Sequence, residues 1–96
     1  MSTWKNESTD LLCKALLTLR TEEECYAFLE DICTIKETAD IAQRLAVAAK
    51  LDKGDTYSAV SAGTGASSAT ISRVSRCLEY GAGGYRLVLD RLGTEK

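Results

Sequence analysis

The sequence predicts an all-α fold of six helices, and three observations carry that expectation. None of the 96 residues is proline, the strongest helix breaker. Alanine, leucine and glutamate, all good helix formers, are abundant. Apolar residues recur at three- and four-residue spacing, between capping residues and glycines. At 10.4 kDa the chain is expected to form a single domain, residues 1–96.

The first helix is expected over residues 8–20, with Leu12, Ala15, Leu16 and Leu19 on one face. Thr21 reads as the N-cap of the second helix. Glu22, Glu23 and Glu24 fill its first turn, where the helix dipole favours carboxylates. Cys25, Phe28, Leu29 and Ile32 share its apolar face, and it ends near Cys33. Thr34 and Glu37 form a capping box for the third helix. Ile35, Ile41, Leu45, Val47, Leu51 and several alanines cover most of that helix's circumference, so it must be buried on several sides, as the spine of the domain or in a subunit interface. Gly54 suits the left-handed position that stops it. Thr56 caps a short helix over residues 57–64, and a fifth runs over residues 67–80 with Ile71, Val74 and Leu78 inward. Gly81, Gly83 and Gly84 separate it from a sixth over residues 85–92, where Tyr85, Val88, Leu89 and Leu92 align.

Composition narrows the function. With 45% apolar and 27% charged residues the chain is globular and not disordered. No apolar run approaches the ~18 residues of a membrane span, so no membrane partner is expected. No charged leader precedes a long apolar core, which gives secretion no support and makes the cytoplasm the expected location. Cys13, Cys25, Cys33 and Cys77 are then read as buried, reduced thiols. No CxxC pair and no histidine is present, which argues against a metal site and removes the commonest general base, so no enzyme is expected. Net charge is −2 but unevenly spread. Residues 1–40 carry four basic and nine acidic side chains, residues 41–96 eight basic and five acidic, and residues 56–78 hold no carboxylate. One end can therefore approach a polyanion.

That end has a helix-turn-helix pattern over residues 57–74. Val60 is inward. Ser61 is small enough for two helices to cross, and Gly65 falls where the turn needs a positive φ. Ala66 tucks in, Ser67 caps the next helix, and Ile71 and Val74 anchor it. The outward residues are short hydroxyls and arginines, suited to a phosphate-lined groove. Two weaker motifs are set aside. Residues 63–67 resemble a phosphate-cradling loop but follow a helix, not a strand. Residues 6–8 match a glycosylation sequon, which has no meaning without secretion.

From about residue 34 to 92 the chain resembles the Trp repressor superfamily, and more closely its YerC/YecD branch. The resemblance rests on Thr34 to Glu37, Ala42-Gln43-Arg44, Thr56-Tyr57 and, above all, the run from Gly65 to Arg73; Tyr80-Gly81-x-x-Gly84-Tyr85 points to the branch. It implies an intertwined all-α homodimer that binds operator DNA as a transcriptional repressor. Residues 1–55 would supply dimerisation helices, 56–80 the helix-turn-helix and 81–96 the C-terminal helix. Double-stranded operator DNA would meet Ser58 and Ser61 on the first helix of the motif. On the second it would meet Ser67, Ser68, Ala69, Thr70, Ser72, Arg73 and Arg76, with water-bridged contacts.

The resemblance also implies a small-molecule corepressor held by Thr34, Arg44 and Arg73. Val74 stands where the Trp repressor has a glycine, and Cys77 where it has a serine; both changes disfavour tryptophan as the ligand. The alternative for Arg44 and Arg73 is a pair of phosphate contacts, a reading that stands level with the ligand role for Arg73 and behind it for Arg44. The expected function is a sequence-specific DNA-binding regulator gated by a small ligand. The alternative is a helical protein-interaction module without DNA binding, which the slightly acidic net charge favours.

Overall fold

The computed structural model describes residues 4–93, so residues 94–96 of the expected C-terminal segment lie outside it. The described residues are all-helical. Their helices are α1 (Glu7–Leu16), α2 (Glu22–Ile32), α3 (Ile35–Asp52), α4 (Tyr57–Thr64), α5 (Ser68–Tyr80) and α6 (Gly84–Gly93). No helix among them is long and apolar enough to cross a membrane. The chain divides into two compact units, residues 1–35 and 36–96.

In the first unit α1 starts one residue earlier than expected and stops four residues earlier. Its start is set by Asn6. The Asn6 Oδ1 accepts from the Thr9 backbone N–H at 3.0 Å, and the Thr9 hydroxyl accepts from the Asn6 N–H at 2.8 Å, a reciprocal capping box. The residues that spell a sequon are thus a helix start. At the other end the backbone N–H groups of Thr18 and Leu19 bond three residues back, and the Thr18 hydroxyl donates to the Ala15 carbonyl at 2.6 Å. That local hydroxyl bond competes with helix continuation and ends α1 before Arg20. Thr21 caps α2 as expected, accepting from the Glu24 N–H. Neither α1 nor α2 contains a buried residue.

The second unit holds the core. Val47 and Ala48 of α3, Val60 of α4, Ala66 of the turn, and Ile71 and Val74 of α5 form one buried cluster. Leu51, Leu78, Tyr85 and Leu89 pack against it. Each fully buried Val or Ile side chain stabilises this unit by about 1.5–3 kcal/mol. Two polar links fix the frame. Gln43 Nε2 donates to the Thr64 carbonyl at 3.2 Å, satisfying a carbonyl at the end of α4. Arg86 of α6 grips Asp52 at the end of α3 with two bonds of 2.7 and 2.8 Å, and also pairs with Asp90. The Arg86 hydrogen bonds hold the Asp52 carboxyl below its ordinary pKa, and Arg86 is itself raised.

The thiols differ from expectation. All four cysteines are free, but Cys13 and Cys77 are exposed and Cys25 and Cys33 only half-buried. Their apolar spacing marks faces that a single chain leaves uncovered.

Candidate nucleic-acid interface

The turn between α4 and α5 is built as the sequence requires. Thr56 caps α4 by accepting from the Ala59 N–H at 3.1 Å. Gly65 ends it with φ +75°, a left-handed conformation that a β-carbon would strain. Thr64 ties the corner together: its hydroxyl donates to the Val60 carbonyl at 2.7 Å and accepts from the Ala66 N–H at 3.2 Å. Ser67 caps α5, its hydroxyl accepting from the Thr70 N–H at 3.2 Å. With Ala66, Ile71 and Val74 buried beneath, the first turn of α5 is held rigidly and presented outward.

Of the residues expected to meet DNA, all but Thr70 are exposed. Three of the hydroxyls are already engaged. The Ser61 hydroxyl donates to the Ala66 carbonyl at 3.1 Å, and the Ser67 hydroxyl donates to that of Thr70, which is half-buried. Their first task is to shape the turn, so outward hydrogen bonding falls mainly to Ser58, Ser68 and Ser72. A shallow groove of about 430 Å³ between α4 and α5 is lined by Tyr57, Ser58, Ser61, Ala62, Ser68 and Ile71.

A cavity of about 260 Å³ lies behind this face, lined by Arg44, Arg73, Val74, Cys77 and Tyr85. Four of these are residues that the sequence marked as ligand contacts. Thr34, the fifth expected contact, is exposed in the unit of residues 1–35, whereas the cavity is lined wholly from residues 36–96. Tyr85 is the wall that sequence reasoning missed as a site residue. Its spacing with Val88 and Leu89 marked only a core face, and its place beside Arg44 and Cys77 depends on how α6 packs. Burial pushes the Tyr85 phenol above its usual pKa and Cys77 adds to this, while the charge on Arg44 acts the other way. The phenol is therefore protonated at neutral pH.

A sequence model of the Trp repressor protein family matches residues 7–93. The chain belongs to the Trp repressor family. That family is one of DNA-binding regulators rather than enzymes. The chain is 49% identical over 88 residues to the uncharacterized protein YerC of Bacillus subtilis (strain 168), covering 92% of this chain and 85% of YerC. Two solved structures share the Trp repressor-like fold at a TM-score of 0.89. A candidate Trp repressor from Staphylococcus aureus is 44% identical, over 93% of this chain and 89% of its own. A TrpR-like protein from Eubacterium eligens ATCC 27750 is 46% identical, over 93% and 92%. Identity at this level covers the YerC-like branch and both units of the chain.

Proposed function

We propose that this chain is a homodimeric, sequence-specific DNA-binding transcriptional regulator, a cytoplasmic repressor gated by a small ligand in the Arg44–Arg73 cavity. The observation that carries the reading is the outer face of α5. Ser68, Ser72, Arg73 and Arg76 are exposed on a helix anchored from below by Ile71 and Val74, in a stretch, residues 56–78, free of carboxylates. Such a face offers donors to base edges and phosphates without repelling a polyanion. Membership of a family of DNA-binding regulators supports the same reading.

The homodimer rests on a separate argument. Neither α1 nor α2 contains a buried residue, and Leu17 and Ile35 are 84% and 92% exposed. A second copy would cover these faces. Two-fold symmetry would then set the two α5 helices in successive major grooves, ~34 Å apart. Because Arg73 and Arg76 are the only charged groups among the expected contacts, affinity would fall only shallowly with salt, in proportion to those few arginine–phosphate contacts.

Retention of labelled bacterial genomic fragments on a filter at low salt tests the reading. The chain is expected to retain DNA, and Ser68→Glu to abolish retention while the dimer's melting temperature is unchanged. No retention by the unaltered chain, or full retention by Ser68→Glu, would contradict it.

A further inference from the structure

We infer that the cavity between α3, α5 and α6 binds a small dianion with no ammonium group, a dicarboxylate or a phosphomonoester. The inference rests on the reading of this cavity as an effector site and names the chemistry of the effector.

Charge comes first. Arg44 and Arg73 approach one cavity from two helices, and among the described residues no carboxylate pairs with either. Arg86, by contrast, is matched by Asp52 and Asp90. Two like charges facing a shared space repel each other, and a doubly charged anion relieves that repulsion. A guanidinium also presents a planar fork of donors that fits a carboxylate or phosphate edge.

Donor and acceptor chemistry points the same way. The two guanidinium groups only donate, the protonated Tyr85 phenol can donate, and the Cys77 thiol is a weak donor and weak acceptor. No Asp, Glu, Asn or Gln lines the cavity. An ammonium group would find two cations and no charged acceptor, so a zwitterionic amino acid is penalised where a dianion is favoured. At α6, whose second residue Tyr85 lines the cavity, Gly83 precedes the helix and offers no capping side chain. The positive end of that helix adds to the field of the two arginines.

The floor of the cavity is fixed, because Val74 is 2% exposed and belongs to the core. A ligand must therefore sit against the two arginines, and small molecules with clustered acceptor oxygens suit that position.

Calorimetry on the full chain tests the inference, with succinate, inorganic phosphate, acetate and tryptophan as probes. Succinate or phosphate is expected to bind at least about tenfold more tightly than acetate, a difference of ~1.4 kcal/mol. Tryptophan is expected to give no binding at ~1 mM, which corresponds to about −4 kcal/mol. Arg44→Gln and Arg73→Gln should each weaken the dianion about tenfold or more, and Lys53→Gln, on the exposed loop after α3, should not. Arg44→Lys keeps the charge but loses the fork, and should retain an intermediate affinity if Arg44→Gln fails to fold.

The inference is overturned if neither dianion binds better than acetate, if tryptophan binds more tightly than both, or if both glutamine variants bind as the unaltered chain does. Filter retention of DNA by the same samples, without ligand, separates the two readings. Missing dianion binding with DNA retention intact removes this inference alone, whereas missing DNA retention removes the DNA reading.

Discussion

The α1–α2 pair and the α4–α5 pair are made of helices of similar size, 10 and 11 residues against 8 and 13, and all four have side-chain N-caps. Only α4 and α5 contribute to a closed core. They meet across a three-residue turn and share Val60, Ala66, Ile71 and Val74 with the C-terminal half of α3. In α1 and α2 an equally regular apolar spacing produces no buried residue. Periodicity thus identifies which face must be covered but not what covers it. Where a glycine turn and small residues bring two helices together, the chain covers its own face; where they are missing, the face stays uncovered within one chain.

The largest effect should come from breaking the uncovered region. Sedimentation at micromolar concentration should give about twice 10.4 kDa. Leu16→Glu, on the apolar face of α1, should dissociate that assembly at a cost on the order of 3 kcal/mol or more, because it leaves a charge in an apolar interface. A cooperatively melting monomer of the unaltered chain would show that the first region needs no partner.

The self-covered region should respond differently. Ile71 is 1% exposed, and Ile71→Ala should cost about 2–4 kcal/mol in denaturant unfolding. Its cost should be the same at high and low protein concentration, whereas that of Leu16→Glu should not. A smaller loss is expected from Gly65→Ala. At φ +75° the added β-carbon meets no neighbour, so the penalty is backbone strain alone, about 1–2 kcal/mol. Gly65→Ala should also weaken DNA retention by shifting α5, and unaltered retention would show that the turn does not set the reading face.

The smallest effect concerns the Asp52–Arg86 clamp. Because the folded-state pKa of Asp52 is lowered, its stabilising contribution is fully present above the ordinary carboxylate value of ~3.9 and is lost as pH falls through the depressed value. Asp52→Asn should remove that part of the acid sensitivity and change little at neutral pH, where both groups are largely solvated and screened. Thermal melts of the two proteins between neutral pH and the acid range check this, and identical acid profiles would count against the clamp.

Much of the fold could be read from the sequence because its signals are local. Thr21, Thr56 and Ser67 cap the helices expected of them, and Gly54 and Gly65 take the left-handed conformation. The end of α1 was not readable from spacing, since Leu19 continues the apolar pattern beyond the point where the Thr18 hydroxyl stops the helix. Asn6 carried a capping signal that its sequon obscured. In the site, Arg44, Arg73, Val74 and Cys77 were marked through the family resemblance, and the structure brings these four to one cavity. Tyr85 was not, because its role depends on α6 packing beside α3 and α5. Nor does sequence tell that Ser61, Ser67 and Thr70 spend hydroxyl contacts inside the turn. That depends on distances of an ångström or less.

The central claim is that a symmetric pair of α5 helices reads DNA, and selection of bound duplexes from a random pool tests it most directly. The expected product is an imperfect palindrome whose half-sites lie about one helical turn apart, ~34 Å, and whose enrichment is lost with Ser68→Glu. A pool that never enriches, or one that enriches for a single unrepeated element equally well with Ser68→Glu, would contradict it.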